Sequence, residues 1–590
     1  IYGQVRLLQG LNFKSLYGVD NLSVVNEDFR NAIHGDGTQF LGASQNTLQR
    51  PRRWNWQNTL TYDTRLAEDH GLNVLVGAEQ QYTRSSNWGA DRRRVADPFF
   101  DEFQGAYVDI VASGNALSEN FLQSYFGRVN YDFKRKYFLS GNIRRDGYSA
   151  FANKWGTFYG GSAGWSVSEE DFWKNSGITD VMSSFRIRGS YGMVGNFAGV
   201  GNYAYQSLYN GGLYGNDPSI FFAQAGNANL TWEKSKKLDV GFNAGFFRDR
   251  LNLEFTYYKN DITDLILAEP QAPSRGIPGN SILTNVGSMQ NTGLELTLSG
   301  TVLSTRDLTW SSNFNITTVK NEVTSLSNNN ADILVATGGL ESPSLVRVGE
   351  SIGSFLVVRT EGVNPANGQR IFVLNDGTRV QYNHAAPAAT RWTKVSDGTA
   401  SRAANQAADG VLIGPALPKY FGGFDNTVRW KGLDFNILLY FSGGNYVYNG
   451  SKAGLHDNRN WNNAKDALNR WTKAGENAEW PRVVFGDNIS NGSAFPISNS
   501  VEKGDFIKGR NISLGYTLPK DMIGRVNLNS VRVYVAALNA FTITKYSGFD
   551  PEIQSNGVSV ADQVTNSAPS VDRNAAPLSR TFNVGINIGF

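Results

Sequence analysis

Residues 580–590, RTFNVGINIGF, decide the fold of this chain, because their side chains alternate strictly between two kinds. One parity is apolar and the other is small or polar, which is the period of two that a β-strand produces. A small, polar face does not suit a soluble core, but it suits the inner wall of a wide, water-filled barrel whose outside contacts lipid. We therefore predict a lipid-facing set in this strand: Phe582, Val584, Ile586, Ile588 and Phe590.

Length and composition narrow the class of protein. The chain has 590 residues, 63 glycines, 12% aromatic residues and no cysteine. It is too long for one soluble domain, and it contains no run of about 18 apolar residues, the shortest that a membrane-spanning helix needs. A membrane barrel meets both constraints, because only alternate residues contact lipid. The lack of cysteine excludes a disulfide scaffold and thiolate chemistry.

The charge balance gives no sign of a nucleic-acid partner. Lys and Arg number 55 and Asp and Glu number 52, for a net charge of +3, and no block of basic residues stands out. A nucleic-acid-binding surface normally shows as a concentrated basic patch or stripe. We therefore predict no nucleic-acid partner.

The same alternation recurs as pairs of segments joined by short turns. Turns at residues 134–136, 248–250 and 431–432 each separate two alternating segments, and aromatic residues flank the first turn. Much longer stretches connect one pair to the next. Short turns on one side and long loops on the other are typical of outer-membrane barrels. Parity predicts further lipid-facing side chains at Leu251, Leu253, Phe255, Phe435, Ile437 and Leu439, and inward-facing ones at Asn252, Glu254, Asn583 and Asn587.

In all, the pattern predicts an all-β fold, a transmembrane antiparallel β-barrel contributing ~17 strands. They are placed at residues 2–8, 12–26, 52–66, 71–86, 119–133, 136–150, 155–168, 183–194, 231–247, 250–262, 285–303, 307–321, 419–430, 433–447, 504–517, 529–541 and 578–590. In an antiparallel barrel wall with an odd number of strands, the first and the last strand run in the same direction. If the last strand runs towards the side with the short turns, the first strand does so too. Because a single-chain bacterial barrel has an even number of strands, we expect residues 1–590 to be a partial barrel, with an odd number of strands upstream.

Three long loops, at about residues 195–230, 322–419 and 447–504, are where we expect function to lie. Two interpretations of their aromatic residues stay open, and both can hold at different positions. The aromatics can pack the loops against each other, or they can stack on sugar rings and grip apolar side chains of a ligand. The candidates for contact with a ligand or a lid are Tyr203, Tyr205, Tyr209, Tyr214, Phe221, Phe222 and Trp461.

Residues that could perform covalent chemistry are not arranged for it. The four histidines, His34, His70, His384 and His456, have no ligand spacing, so we interpret them as solvated loop residues. Residues 375–377 and 396–398, NDG and SDG, resemble fragments of calcium loops but are better interpreted as turns. No phosphate-binding loop is present, and no Ser–His–Asp set can be distinguished from chance. The sequence predicts no enzyme, no metal site and no cofactor.

Several blocks of sequence together resemble the SusC/RagA family of TonB-dependent outer-membrane transporters. SYFGRVNYDFKRKYFLSGNIRRDGYSAF at 124–151 is similar to that family's mid-barrel signature, and LTWEKSKKLDVGFNAGFFRDRLNLEFTYYKNDITDLIL at 230–267 resembles its next segment. A final strand ending in Phe also resembles the closing strand of bacterial outer-membrane proteins. Further blocks follow in family order at 155–174, 285–298, 418–449, 470–482, 504–520 and 530–553.

The resemblance implies a barrel of about 22 strands, filled by an N-terminal plug that TonB pulls on, and capped by a SusD-like lipoprotein lid. The plug, the TonB box and the first strands are missing from this sequence, so its ~17 strands would be the later ones. The implied function is outer-membrane import of a nutrient oligomer, either a glycan or a peptide. The implied partners are TonB, the lipoprotein, membrane lipid and the oligomeric ligand. Two alternatives remain: a TonB-dependent receptor for siderophore or vitamin chelates, and a structural or adhesive barrel without transport.

Overall fold

A computed structural model describes residues 1–590 except 98, 100, 340, 460, 524–527 and 553–566. The last residue of the block at 530–553 therefore lies outside the described residues. The chain divides into two compact units. Unit 1 comprises Ile1–Trp165, Arg188–Lys237 and Ile262–Val286, and unit 2 comprises Ser166–Ile187, Leu238–Asp261 and Gly287–Phe590.

Unit 1 consists mainly of long antiparallel strands, each paired with its neighbour along the chain. The longest pairing joins Ala43–Leu66 to His70–Val95 without a register shift. The other strands of the unit are Tyr2–Leu8, Leu11–Asn21, Val24–Arg30, Tyr107–Phe133, Tyr137–Tyr148, Trp155–Ser166, Leu208–Tyr214 and Asp217–Gln224. Trp155–Ser166 ends one residue past the unit, and four further strands also have residues in both units: Met182–Asn196, Glu233–Phe246, Leu251–Pro270 and Ser281–Ser304.

Unit 2 combines long antiparallel strands with three small sheets. Its long strands are Leu308–Thr318, Lys320–Ser325, Tyr420–Trp430, Leu433–Gly443, Phe506–Thr517, Ser530–Thr544 and Thr581–Gly589. Two of the small sheets have four strands each, Ile333–Val335, Ser344–Val346, Ser354–Val358 and Gly410–Gly414 in one, and Thr360–Val363, Arg370–Val373, Arg379–Tyr382 and Trp392–Lys394 in the other. The third consists of Tyr446–Asn449, Val501–Lys503 and Val571–Asp572.

The helices of the described residues are all short. The α-helices are Asp171–Lys174, Ser327–Asn330, Gln406–Asp409, Gly450–Gly454 and Lys520–Ile523. The 3₁₀ turns are Gly35–Phe40, Val167–Glu169, Gly177–Asp180, Pro273–Arg275, Pro278–Asn280, Ala388–Thr390, Lys465–Asn469 and Ser498–Ser500. None of the helices in the described part of the chain has the length and apolar character needed to cross a membrane.

Every one of the predicted strand positions contains a strand, so the all-β prediction is confirmed. Three predicted strands were wrong in extent, because 12–26, 307–321 and 433–447 each contain residues of two strands, with breaks at residues 22–23, at Val319 and at residues 444–445. Four others, at 52–66, 71–86, 119–133 and 250–262, extend much further into the loops than predicted. In these extensions the strands still pair through their backbones, but alternate side chains no longer need to be apolar because they do not contact lipid. The alternation in the sequence is therefore weaker there.

The strand register carries one apolar face across unit 2. Val584 pairs with Val535, Val535 with Leu514, Leu514 with Phe435, and Phe435 with Val428. Directly paired residues point to the same side of a sheet. The register therefore places two residues of the predicted lipid-facing set, on widely separated strands, on a single face, and both are exposed. Contact of that face with lipid stays a prediction.

The opposite face of the same strands carries charge and amides. Asn587 pairs with Arg532, whose Nε donates a hydrogen bond to Asp434 Oδ1 at 2.8 Å. These two charged residues, together with Arg306 and Lys431, line a cavity of about 660 Å³. On these strands the polar parity of the sequence thus corresponds to a face that carries polar and charged groups.

The three predicted short turns are confirmed, and they rely on left-handed backbone conformations. Lys134 and Arg135 have φ of 51° and 53°, and Lys431 and Gly432 have φ of 47° and 90°. Consecutive positive φ values match the right-handed twist of paired strands, which ordinary turns do not. At Gly432 a Cβ atom would lie 2.8 Å from the carbonyl oxygen of Thr517, so no larger residue fits without a shift.

A row of rings follows the short-turn end of unit 1. The ring of Phe133 lies 4.9 Å from His70 and 6.3 Å from Tyr137, and Tyr137 stacks on Trp165 at 6.2 Å. Aromatic side chains gather at the water interface of membrane proteins because one end of the ring tolerates water and the other prefers hydrocarbon. The aromatic rim predicted at this turn is present.

The predicted loop at 322–419 is a folded module rather than an irregular connection, since it contains both four-stranded sheets. Its core includes Val358, Phe372 and Val380, all fully buried, and it is completed by Ile497 from the loop at 447–504. Because this core is shared between two stretches far apart in the chain, no local pattern could reveal it.

Candidate functional site

Four of the seven predicted contact residues lie on a β-hairpin formed by Leu208–Tyr214 and Asp217–Gln224, here called the aromatic hairpin. Tyr209 pairs with Phe222, and their rings are 5.5 Å apart. Phe221 lies on the other face, where its ring covers Gly212 so closely that a Cβ there would be 2.7 Å away. Tyr214, at the turn, is 83% exposed.

The register of the aromatic hairpin defines one apolar face. Gly211 pairs with Ile220 and Leu213 with Pro218, on the same side as Tyr209 and Phe222. Leu213 and Ile220 are 72% and 78% exposed. Leu213 and Ile220 are not among the predicted contact residues, which are all aromatic. The strand pairing was the signal that could have found them.

The base of the hairpin is firmly held. Gln224 Nε2 donates to the carbonyl oxygens of Gln206 and Tyr203 at 2.9 and 3.1 Å. Asn227 donates its backbone N–H to Tyr205 O at 3.0 Å and its side-chain amide to Leu283 O at 2.8 Å. The hairpin is therefore an anchored element that presents its apolar face, rather than a free loop.

Tyr203 and Tyr205 have a different role from the hairpin residues. Both are only half-buried, and Tyr205 packs against a buried cluster that contains Phe151, Leu230 and Trp232. Lys154 also lies 5.7 Å from the Tyr205 ring. Tyr205 thus agrees with the packing interpretation of the loop aromatics, whereas the hairpin aromatics are exposed and their contact with a partner or ligand stays a prediction.

The seventh predicted residue, Trp461, lines a cavity of about 310 Å³ in unit 2. The indole is 52% exposed. The other members of the lining are Gly338, Gly339, Gly454, Asp457, Arg459, Ser493 and Arg573. Two other loop tryptophans behave differently, because Trp480 is buried and Trp471 donates its indole N–H to Pro365 O at 2.9 Å.

Charged groups around this cavity are held in pairs. Asp457 is buried and accepts hydrogen bonds from Arg459 Nε at 2.9 Å and from the Arg459 backbone N–H at 2.8 Å. Burial acts to raise the pKa of Asp457, but the hydrogen bonds from Arg459 and Ser493 together outweigh it and hold the pKa below its usual range. Arg573 is similarly paired with the buried Glu341. Each guanidinium is therefore fixed by a carboxylate.

The interpretation of the histidines as solvated residues was wrong for His456. It is buried, and its ring stacks on Trp480 with 3.5 Å between centroids. Its Nδ1 and Nε2 lie 2.7 Å from Lys452 O and 2.9 Å from Asp466 Oδ1. The burial of His456 depends on Trp480, which is distant in the sequence, so the residues next to His456 could not predict it. The prediction was also wrong for His70, which begins the strand His70–Val95, is half-buried and bonds the Tyr131 hydroxyl. His384 is half-buried and bonds the Tyr382 hydroxyl, and His34 is exposed.

The two segments that resemble calcium loops are turns, as predicted. Gly377 N–H donates to Leu374 O at 3.0 Å, and Gly398 N–H donates to Lys394 O at the same distance. Asp376 and Asp397 each accept the backbone N–H two residues ahead at 2.9 Å. Among the residues that the structure describes, no group of three or more His, Asp or Glu side chains could hold a metal ion.

Long paired strands, tight turns bordered by rings, and one apolar and one polar face define the wall of an outer-membrane β-barrel. The chain belongs to the TonB dependent receptor-like β-barrel family, whose model matches residues 4–540. It is accordingly an outer-membrane protein that crosses the bilayer with many strands.

Known relatives agree with the resemblance to SusC and RagA. TonB-dependent receptor P3 of Formosa agariphila is 28% identical over 609 residues, which cover 100% of this chain and 57% of that protein. TonB-dependent receptor SusC of Bacteroides thetaiotaomicron is 27% identical over 549 residues, covering 88% and 48%. The solved RagAB peptide transporter shares the fold, with a TM-score of 0.77 at 24% identity over 100% of this chain and 61% of its own. The chain thus spans about half to three fifths of the length of these proteins.

Proposed function

We propose that the protein containing this chain imports a nutrient oligomer, a glycan or a peptide, across the outer membrane with energy from TonB. A SusD-like surface lipoprotein covers the extracellular loops as a lid. Family membership and the named relatives support the TonB-dependent part of this proposal. The proposal of a lid rests on one observation, the exposed apolar face of the aromatic hairpin.

Exposed apolar surface on an anchored element is the reason to expect a protein partner. Tyr209, Leu213, Ile220 and Phe222 form one contiguous side of the hairpin, and all four are exposed. Such patches on a folded protein normally mark an interaction site, and aromatic residues are enriched at the centres of protein interfaces. Gln224 and Asn227 hold the base, so little ordering free energy opposes docking.

The hairpin also bears on the alternatives. A small chelate can be enclosed by loops alone, whereas an apolar face displayed on a hairpin suits a large, complementary protein surface. A structural or adhesive barrel could present the same face, but its role would not depend on energy from TonB. Energy-dependent uptake therefore separates import from adhesion, and copurification of a lipoprotein separates lid-assisted import from chelate uptake.

The lid is tested with a double variant, L213S together with I220S, because both side chains lie on the apolar face. The matched control is N210S, which changes an exposed polar residue on the opposite face. Tagged full-length protein, extracted from native membranes in mild detergent, should retain a lipoprotein in the wild type and the control. The double variant should lose it, with at least about tenfold less lipoprotein recovered, as expected when anchors of an interface are removed.

Uptake is measured separately on the same strains. A fluorescent oligomer that the cells consume should accumulate in the periplasm of the wild type and stop when the proton-motive force is collapsed. Wild-type protein that is always purified alone, with the hairpin accessible to protease, would disprove the lid. Uptake that persists without proton-motive force would disprove the TonB-driven mechanism and leave the lid result standing.

A further inference from the structure

The cavity beside Trp461 has a composition that the lid does not explain. Its volume of about 310 Å³ is at the lower end of the range for small-ligand sites. Three glycines, Gly338, Gly339 and Gly454, form part of the lining. Gly338 is exposed, whereas the Gly339 N–H already donates to Thr337 Oγ1 and the Gly454 carbonyl oxygen accepts the Asp457 N–H. This cavity lies wholly within unit 2.

Trp461 provides a flat apolar surface in the cavity. A Cβ atom on Gly454 would lie 3.1 Å from Cζ3 of the indole, so glycine at 454 lets the ring lie close against the short helix Gly450–Gly454. Half of the side chain remains exposed, and the indole N–H makes no hydrogen bond to the part of the chain that the structure describes. A ring with one edge supported and one free donor is a ready platform for a flat ligand face.

The polar groups of the cavity are fixed and sum to no net charge. Arg459 and Arg573 carry two positive charges, and their partners Asp457 and Glu341 carry two negative charges. The Asp457 and Glu341 side chains are 1% and 0% exposed, while that of Arg459 is 33% exposed. Arg459 therefore offers guanidinium N–H groups to a ligand in an orientation already set by its buried partner.

We propose that this cavity is a subsite for a neutral sugar unit of the imported oligomer. The apolar face of a pyranose ring stacks on the Trp461 indole, and its hydroxyl groups accept hydrogen bonds from Arg459 and bond to the exposed backbone at Gly338. An uncharged ligand suits a lining whose charges are already paired. This inference rests on the proposed import function and narrows the ligand from an oligomer of either kind to a glycan.

A peptide ligand would call for different groups. Extended peptides are commonly held by main-chain hydrogen bonds to the free edge of a strand. None of the lining residues lies in a strand of the described chain. An acidic or basic ligand would also need an unpaired charge opposite it, and both arginines here already have carboxylate partners. The chemistry of the cavity therefore favours hydroxyl groups over peptide groups.

The test measures binding directly by calorimetry on native full-length protein in detergent, with any lipoprotein that copurifies. The probes are a linkage series of neutral hexa-hexoses, an oligogalacturonate as the anionic sugar, and an uncharged nonapeptide. W461A should weaken binding of the best neutral sugar about tenfold or more, since a stacked ring contact is lost. W461F should retain most of the affinity, because it keeps a ring.

The matched control is F485A, which removes another highly exposed aromatic side chain from the same long loop but outside the cavity lining. It should leave the affinity unchanged. R459M should weaken sugar binding too, with a less favourable binding enthalpy. W461F and F485A also show whether a loss in W461A reflects the cavity or general damage to the loop.

Three results would overturn the proposal: no neutral sugar binds, W461A binds the sugar as tightly as wild type, or the nonapeptide binds more tightly than any sugar. The result is separable from the proposed function. Energy-dependent uptake of peptide, unaffected by W461A, would leave import intact and refute the subsite. Trp461-dependent sugar binding without energy-dependent uptake would refute import and leave the subsite as a glycan-binding site.

Discussion

Ile586 and Asn587 are neighbours in the chain but lie on opposite faces of the last strand. Ile586 pairs with Val533 on the apolar face, and Asn587 pairs with Arg532 on the polar face. I586R should destabilise the assembled protein by about 2–4 kcal/mol, the cost of a guanidinium at mid-membrane depth. N587S should change stability by less than about 0.5 kcal/mol. Urea unfolding of protein refolded into lipid vesicles measures both.

Because the chain has no cysteine, single-cysteine variants provide an independent check on the same two positions. Ile586→Cys should resist a water-soluble maleimide in vesicles and react when the vesicles are dissolved. If Ile586→Cys labels freely and I586R is tolerated, the assignment of faces is off by one residue, and every predicted lipid-facing side chain of that strand moves to the interior.

Single residues also show where local reasoning fails. An exposed Tyr209 and a half-buried Tyr205 are indistinguishable by composition, because both lie in one stretch rich in Gly and aromatics. Their difference comes from contacts with Leu230 and Trp232, which the sequence pattern does not encode. The same holds for His456 against Trp480. The alternation of side chains in the sequence shows on which face of a strand a residue lies. The packing partners of loop residues are known only from the structure.

Among the elements, the strands were predictable and the loop module was not. A strand of the wall shows its identity locally, since alternation and a short turn suffice. The sheets within 322–419 are built from strands of three to five residues whose core is completed by Ile497. Segments that short carry too little periodic signal, and their stability depends on a stretch more than a hundred residues away.

One buried carboxylate in this module makes its stability dependent on acid. Asp409 accepts hydrogen bonds from Arg402 Nη2 at 2.6 Å and from the backbone N–H groups of Asn405 and Asn375 at 2.8 and 2.9 Å. Arg402 above all, and then these N–H groups, lower the pKa of Asp409 from 3.8 to about 2, against the effect of burial. A lowered pKa stabilises the folded module above about pH 4, and this contribution is lost as the pH falls towards 2.

Hydrogen exchange measures this effect directly. Peptides covering residues 372–380 and 402–412 should lose protection between pH 4 and 2, after correction for intrinsic rates, and show no change between pH 5 and 8. D409N should cost about 1–3 kcal/mol at neutral pH, because Arg402 loses its charged partner, and should remove the acid dependence. D397N, at an exposed turn that Asn also forms, is the control. Acid loosening that persists in D409N would assign the effect to another group.

At the scale of the whole molecule, the polar face of the paired strands, here called the polar wall, needs groups to bond with. The parity that carries Asn583 and Asn587 offers hydrogen-bonding groups, and Arg532, which pairs with Asn587 and bonds Asp434, adds charge to the same surface. A surface of this kind is satisfied by water or by a polar protein segment. The chain matches 57% of receptor P3, so that relative has a large part with no counterpart here.

We propose that an upstream part of the native polypeptide supplies about five further strands, which makes the total even, together with a plug that contacts the polar wall. The last prediction follows: peptide mapping and intact mass of protein from native membranes should reveal on the order of several hundred residues before Ile1. Asn587→Cys should be shielded from maleimide in that intact protein and should label once the plug alone is deleted and the upstream strands are kept, because the plug no longer covers it. The N587S variant, which has no cysteine, gives the background level of maleimide labelling. A native protein that starts at Ile1, with Tyr2–Leu8 paired directly to Thr581–Gly589, would refute this arrangement, since the strands would then close without any further segment.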